Sequence, residues 1–367
     1  MTRRRRLTLA LVALVVSGCS AFLRFDGFGD CRDGACISLE LDGGGDGDGR
    51  DAIDAQPVCT PRKWPGPPDA DTPSGSTTLV YALKEMRFGL DVDGGGPGYD
   101  VNNRCVCPGG IQGKGTCAKD AAPTCDDPTT GADNEFSELF KSFAIFDKVF
   151  INDNAMNEAL AHGDFSILLR IDDYQAATAN QARVSAAIYN AIRVDRDGGM
   201  PTFAPEERWV VDRTFLLDPP SAKPKFVDSK AYVTDGTLVA LFPELEFVVV
   251  LPRLGRVRLK ATDTRIVLPL PGDGGGAAKG QLIGRIAVAS VVEIGGTLGW
   301  CPGTSRFLAV TEACKRADVN AAADDNGAAP CDAISAAMAL TFVPTQKPET
   351  IEVGTYSAST CPTATCP

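Results

Sequence analysis

The chain has 367 residues, 44% of them hydrophobic, so it is long enough to bury a sizeable core in one to three domains. Its formal net charge of −11, with no basic stripe to offset it, argues against nucleic acid as a partner. A single histidine, His162, stands beside 13 cysteines, which leaves little material for imidazole-based metal sites or histidine-dependent catalysis.

The N-terminus combines a positive run, a short apolar run and a cysteine. Four arginines at positions 3–6 precede an apolar run at positions 7–16, which is too short for a membrane-spanning helix of about 20 residues. The tetrapeptide VSGC at positions 16–19 follows and resembles the lipobox of bacterial lipoproteins. An ordinary secretory signal and an uncleaved core helix are the alternatives, and the arginine run fits a core helix badly.

The lipobox resemblance implies a lipid anchor. It makes residues 1–18 a signal peptide and places a diacylglycerol on the Cys19 thiol, with palmitate as a further acyl group, so the membrane becomes a partner. The formal charge of the mature chain then falls from −11 to −15, because four arginines are lost. Ser20 follows the cysteine instead of aspartate, which by the sorting rule of such lipoproteins favours the outer membrane.

The cysteines that remain are even in number once Cys19 carries a lipid. In an oxidising compartment they most simply form disulfides, and zinc is less favoured because no C-x-x-C spacing occurs. We expect Cys105 and Cys107, which are too close to pair with each other, to reach Cys117 and Cys125, while the other pairings stay open. The twelve candidates are Cys31, Cys36, Cys59, Cys105, Cys107, Cys117, Cys125, Cys301, Cys314, Cys331, Cys361 and Cys366.

Residues 19–77 are predicted to form a flexible acidic tether. Runs such as LDGGGDGDGRDAIDAQP are rich in Gly and Asp and hold few large apolar residues, so they cannot bury enough surface to fold. Such a tether would lift a folded domain away from the lipid surface.

Residues 78–163 are predicted to hold a strand, a Cys-rich loop and a helical segment. The strand is in TTLVYALKEMRFGLDVDG, and the loop after it is unusually long and contains four cysteines. The run DNEFSELFKSFAIFDKVF then has helical spacing, with Asp133 or Asn134 able to cap its start, and His162 falls where a helix ends.

From Asp164 onward the pattern becomes β. Short apolar or alternating runs predict about seven strands, and Asp235-Gly236 predicts a type I′ hairpin. The predicted fold is mainly β, an antiparallel sandwich or barrel with a few helices and disulfide-stapled loops. Residues 164–300 form its core, and a helical or mixed Cys-containing segment at 301–367 packs on that core.

The sequence lacks the motifs of common catalytic sites. There is no G-x-S-x-G elbow, one histidine cannot make H-E-x-x-H, and GGIQGKGT departs from a phosphate loop. Calcium is the one metal candidate, because hard oxygen ligands cluster in the stapled loops, although such residues also occur in turns for backbone reasons. These ligands are Asp91, Asp93, Asp100, Asn102 and Asp133.

Several segments follow one another along the chain: GLDVDG and DVNNRCVCP, then CDDPTTGADNEFSELF, then GDFSILLRIDDY and a β-rich half. In these features residues 78–345 resemble exported bacterial lipoproteins with Asp/Gly-rich tethers, a resemblance that implies no catalytic residue and no ligand. The anchor and spacer favour a binding or structural surface module with a protein or glycan partner. The alternative is an envelope hydrolase whose dispersed carboxylates would lie about 5–10 Å apart in one deep cleft.

Overall fold

The structure is a computed structural model of the chain. It describes residues 62–69, 75–88, 98–101, 117, 132–146, 153–176, 178–195, 199–218, 221–251, 255–272, 275–304, 307–323, 329–358 and 361. The chain divides into units at residues 1–54 and 55–367, and every described residue belongs to the second.

The described residues form twelve strands, four α-helices and a 3₁₀ turn at Arg213–Phe215. The strands are β1 (Thr77–Arg87), β2 (Ser166–Tyr174), β3 (Gln181–Val194), β4 (Trp209–Asp212), β5 (Leu216–Asp218), β6 (Lys223–Pro224), β7 (Phe226–Thr234), β8 (Thr237–Leu251), β9 (Gly255–Pro269), β10 (Ala278–Ala287), β11 (Ala333–Pro344) and β12 (Thr350–Glu352). The helices are α1 (Glu135–Phe146), α2 (Asp153–His162), α3 (Val288–Thr297) and α4 (Phe307–Lys315).

Eight of the strands close into an antiparallel barrel. Their order is β1, β11, β10, β9, β8, β7, β3 and β2, and the pairing of β3 with β7 closes the ring. Strands β4 and β12 extend the sheet beyond the edge of β3, and β5 pairs with β6 separately. The predicted fold class, a mainly β antiparallel sandwich or barrel with a few helices, is therefore confirmed, in the barrel form.

Alternating side chains fill the interior of the barrel. In β2, Ile167, Leu169 and Ile171 join the interior core, whereas Leu168 between them packs in a cluster on the outside. An eight-stranded barrel is just wide enough for side chains to fill, and Phe242 is among the large residues that are fully buried in it. The interior is therefore a packed core.

Helices cover one end of this core. Phe136 of α1, Met156 of α2, Val291 of α3 and Val310 of α4 are all buried against the interior cluster. The spacing of apolar residues in EFSELF matches a helix that buries one face, so α1 forms where the sequence predicts a helix. His162 is the last residue of α2, which confirms its predicted place at a helix end.

The alternation of interior and exterior side chains is interrupted in the long hairpin β8–β9. The interior positions of β8 step by two up to Phe242 and resume at Leu245, with Pro243 between them. On β9 the matching irregularity includes Asp263, whose φ of +46° lies in the left-handed region. The sequence pattern divides each of these strands into two, because the phase of the buried positions shifts at this bulge.

Chain segments also cover part of the outer wall. Trp64 and Tyr99 pack against Val267 and Ile283, which point outward from β9 and β10. Residues 62–69 lie in the segment predicted as tether, yet here they contact the barrel because the Trp64 ring buries apolar surface there.

The C-terminal segment is mixed. Phe307–Lys315 is helical as the pattern predicts, but Ala333–Pro344 is β11, which pairs with β1 and β10 inside the barrel. A helix at residues 333–344, which the helical or mixed prediction for this segment allowed, is wrong. The alanines of this run favour a helix locally, and pairing on both edges overrides that preference.

Candidate functional site

The barrel wall opens between β7 and β8. Their pairing is confined to residues 232–234 against 237–239, beside the turn at Asp235-Gly236. Both turn residues have positive φ, +47° and +73°, as a type I′ turn requires, so the predicted hairpin is confirmed. Farther from the turn, at residues 226–231, β7 pairs with β3 instead of β8.

The Asp228 side chain bridges the opening. Its carboxylate accepts hydrogen bonds from the backbone N–H groups of Leu241 on β8 and of Lys230 on its own strand, each at 2.8 Å. Each carboxylate oxygen therefore accepts one backbone hydrogen bond. The bond from Leu241 takes the place of a backbone hydrogen bond between β7 and β8.

A second bridge lies on the inner side of the wall. The amide of Asn190 on β3, which is fully buried, accepts from Val248 N–H at 2.9 Å and donates to the Glu246 carbonyl at 3.0 Å. Between the two bridges stands Pro243, which has no N–H to satisfy. The β8 edge is thus protected against the addition of another strand.

A groove of about 480 Å³ lies at this opening, and we call it the seam groove. Val227 and Leu241 give it apolar surface, since these residues are 44% and 37% exposed. Its lining consists of Trp64, Val227, Asp228, Ser229, Lys230, Tyr232, Val239, Leu241, Pro243 and Arg265. Apolar and aromatic surface with a few polar groups is the usual composition of a ligand site.

The two aromatic residues of the seam groove are fixed in place. The guanidinium carbon of Arg265 lies 3.9 Å from the centroid of the Trp64 ring, and the same guanidinium pairs with Asp263 at 3.0 Å. The Tyr232 hydroxyl donates to the Pro65 carbonyl at 2.7 Å, which ties the segment that carries Trp64 to β7.

Burial raises the pKa of Tyr232 above its ordinary value of 10.0; Arg265 opposes this shift and Asp228 adds to it. Tyr232 therefore stays a neutral hydroxyl at physiological pH and keeps its ability to donate a hydrogen bond.

Cations dominate the accessible charge around the groove. Among the described residues, the exposed ammonium group of Lys230 makes no hydrogen bond or ion pair. The charge of Arg265 is balanced by its ion pair with Asp263, and Arg183 donates to the Ser229 carbonyl at 3.3 Å on the rim. Asp228 is the one carboxylate in the lining, and backbone N–H groups occupy both of its oxygens.

Two other hollows are smaller than the seam groove. The space under the helices, about 40 Å³, is lined only by apolar side chains and glycine, among them Phe136, Val257 and Val249. A shallow cleft of about 340 Å³ lies beside Arg256, which donates to the carbonyls of Asp164 and Ile192. Each of these three hollows has at most one carboxylate in its lining.

A polar network holds the segment after β12 against the barrel. The Tyr356 hydroxyl donates to the fully buried Asp212, and the guanidinium carbon of Arg258 lies 4.1 Å from the Tyr356 ring centroid. Burial raises the pKa of Tyr356; its bond to Asp212 and the charge of that carboxylate raise it further, against a lowering by Arg258. These contacts have a structural role, since each group has its partner within the fold.

The calcium candidates are placed only in part. Asp100 and Asp133 come together, 0% and 2% exposed, with Val101 N–H donating to Asp133 Oδ2 at 2.9 Å. The buried Arg285 donates to the Val101 carbonyl and brings a positive charge to the same region. Within the described ranges no group of three or more His, Cys, Asp or Glu residues could hold a metal ion. Asp91, Asp93 and Asn102 lie outside those ranges, and calcium stays a prediction.

The disulfides join distant parts of the chain. Cys117 pairs with Cys331 and Cys301 pairs with Cys361, with Cα–Cα distances of 5.1 Å in both, and Cys314 is also disulfide-bonded. The expected pairing of Cys117 with Cys105 or Cys107 is wrong, because the fold brings Cys117 beside the start of β11. The remaining predicted cysteines are outside the described residues: Cys19, Cys31, Cys36, Cys59, Cys105, Cys107, Cys125 and Cys366.

Sequence reasoning did not find the seam groove. Trp64, Asp228 and Arg265 stand far apart in the chain and belong to no common motif. Pro243 within an apolar run is the one usable signal, since proline in a strand marks an edge or a bulge.

None of the helices in the described ranges is long and apolar enough to cross a membrane. No protein-family model, no curated protein and no solved structure matches the chain.

Proposed function

We propose that this chain is an exported lipoprotein, anchored through a lipid on Cys19, whose barrel binds a ligand in the seam groove. The seam groove carries the proposal: of the two hollows that combine an aromatic residue with hydrogen-bonding and charged groups it is the larger, and it offers two aromatic residues, Trp64 and Tyr232, where the other offers Tyr356 alone. The barrel interior is filled by side chains, so a ligand of any size has to bind outside it.

The lipobox-like VSGC at positions 16–19 supports the anchor, and Ser20 supports the outer membrane. The two long-range disulfides fit an oxidising, exported environment. The acidic, Gly-rich run after Cys19 suits a spacer between the lipid surface and the barrel.

An envelope hydrolase with dispersed carboxylates has less support. Such an enzyme needs two carboxyl groups facing one substrate bond, and the lining of the seam groove offers Asp228 alone. Both oxygens of Asp228 accept backbone hydrogen bonds, so a role as proton donor or nucleophile would require breaking the bridge to β8.

Membrane fractionation tests the anchor. Cys19→Ala should release the protein from membranes and abolish labelling by radioactive palmitate, whereas the control Ser20→Ala should stay bound and labelled. Ser20→Asp should move the protein from the outer to the inner membrane fraction. Unchanged fractionation of Cys19→Ala would disprove lipid attachment at this residue.

A panel of soluble polysaccharides, peptides and fatty acids tests the binding role. We expect the wild-type protein to bind one class, and Trp64→Ala to lose that binding while its circular dichroism spectrum stays that of the folded protein, although its melting temperature falls because the ring packs on Val267 and Ile283. Binding that persists in Trp64→Ala would place the site elsewhere. Release of new reducing ends or free amines from the bound polymer would favour the hydrolase instead.

A further inference from the structure

We infer that the ligand of the seam groove is a polysaccharide that bears carboxylate groups. This inference rests on the proposed binding function and names its ligand class. Three properties of the groove support it: its protected strand edge, its aromatic lining and its surplus of accessible cations.

The strand edge argues against a peptide as the ligand. Extended peptides commonly bind by adding a strand to a sheet edge, which requires free backbone N–H and C=O groups. Along β8 the N–H of Leu241 is held by Asp228, the N–H of Val248 is held by Asn190, and Pro243 has no N–H. A peptide laid in the groove would find few backbone partners there.

The aromatic lining suits a chain of sugar rings. Trp64 and Tyr232 are amphipathic residues, each with an apolar ring face and one polar donor. A sugar ring has the same character, with an apolar face of C–H groups and a rim of hydroxyls. The Ser229 hydroxyl can donate to and accept from such a rim, and the Tyr232 hydroxyl, whose hydrogen goes to the Pro65 carbonyl, can accept from it.

The charge of the groove favours an anionic chain. The molecule as a whole carries −11, yet the Lys230 ammonium faces the groove and Arg183 lies on its rim, whereas the charge of Arg265 is balanced by Asp263. The one carboxylate in the lining, Asp228, accepts one backbone N–H bond at each oxygen, and the charges of Lys230 and Arg183 together exceed its charge. Ammonium and guanidinium groups form strong charge-assisted hydrogen bonds with carboxylates, so uronate rings fit this surface better than neutral sugars.

The test compares four probes on the intact protein by calorimetry: polygalacturonate, its fully methyl-esterified form, dextran and polyglutamate. Polygalacturonate should bind, and its methyl ester, which keeps the sugar backbone and loses the charges, should bind at least about tenfold more weakly. Added salt should weaken polygalacturonate binding, because the groove charges are exposed.

Two variants locate the effect in the groove. Lys230→Gln should weaken polygalacturonate binding by about tenfold, whereas Lys315→Gln on α4 makes the same change in net charge and should leave it unchanged. Because Lys230 and Lys315 are both exposed, their melting temperatures should match that of the wild type. Equal weakening by both variants would reduce the effect to non-specific charge and overturn the inference.

Other outcomes separate this inference from the proposed function. Equal binding of polygalacturonate and its methyl ester would overturn the charge argument, and stronger binding of polyglutamate would identify an acidic peptide as the ligand. In either case Trp64-dependent binding would leave the proposed function standing. If none of the four probes binds, the carboxylated polysaccharide is overturned, and the wider panel with Trp64→Ala then decides the binding role by itself.

Discussion

The side-chain amide of Asn190 stands in for a paired strand opposite Val248. It accepts from the Val248 N–H and donates to the carbonyl of Glu246, so it meets β8 much as a neighbouring peptide group would. This pair of bonds keeps the barrel closed on its inner side where β7 and β8 have separated. The seam groove therefore exists because a buried amide secures the wall beneath it.

Replacing Asn190 should destabilise the protein strongly. Asn190→Ala removes both bonds and leaves the buried N–H of Val248 and the part-buried carbonyl of Glu246 without their partner, so we expect the free energy of unfolding to fall by about 3 kcal/mol. Asn157 makes the same two bonds to Met86 but is partly exposed, so Asn157→Ala should cost about 1 kcal/mol. Chemical denaturation measures both, and equal losses would contradict the role assigned to burial.

Asn190→Asp should make the loss depend on pH. Burial would raise the pKa of the new carboxyl above the unfolded value of about 3.9, and its protonated form could still donate to the Glu246 carbonyl. The variant should approach wild-type stability below about pH 4 and lose stability relative to wild type as the pH rises above it. A constant difference across this range would contradict the donated bond.

The disulfide Cys301–Cys361 should stabilise the segment that carries Tyr356. It closes a loop over 60 residues, for which chain entropy gives about 4 kcal/mol. The double variant Cys301→Ala with Cys361→Ala should unfold at correspondingly lower denaturant, and single variants should expose one reactive thiol. Labelling of the denatured, unreduced mature protein should find no free thiol, and a labelled cysteine there would contradict the predicted even number.

Tyr356 should affect stability in alkali. Its folded pKa is raised by burial and by Asp212, so its protonated form stabilises the fold fully below the unfolded value of about 10. That contribution is lost progressively as the pH rises above about 10. In Tyr356→Phe the fall in stability above that pH should be smaller than in the wild type, although the variant starts lower because Asp212 loses a donor. An identical alkaline slope would show that this hydroxyl does not titrate as inferred.

The sequence could predict the parts of the fold that depend on local pattern. The short apolar run in SILLRIDDY gives β2, and Asp235-Gly236 gives the turn between β7 and β8. It could not predict the irregularity at Pro243 and Asp263, where β8 and β9 change the phase of their buried positions together and keep their register, because that change is set by cross-strand pairing. Nor could it predict the seam groove, which depends on tertiary contacts of Trp64 and Asp228 with β8 and β9.

The calcium prediction can be decided by a chelator. If calcium bridges Asp100 and Asp133, EGTA should lower the melting temperature, added Ca²⁺ should restore it, and Asp133→Asn should remove the response. An unchanged melting temperature would refute the prediction and leave the nearby Arg285 as the main compensation for these buried carboxylates.

The apolar space beneath the helices predicts a stabilising substitution. Val249 lines this space of about 40 Å³, so Val249→Ile adds one methylene where room exists and should raise stability by about 0.5–1 kcal/mol. Val233 lies in the packed interior at 0% exposure and does not line that space, so Val233→Ile should lower stability by about 1 kcal/mol through overpacking. Both substitutions replace Val by Ile within a β-strand, so a difference in β-propensity cannot explain a difference between them. Denaturation midpoints that shift in the same direction would show that packing in this core is more uniform than the structure implies.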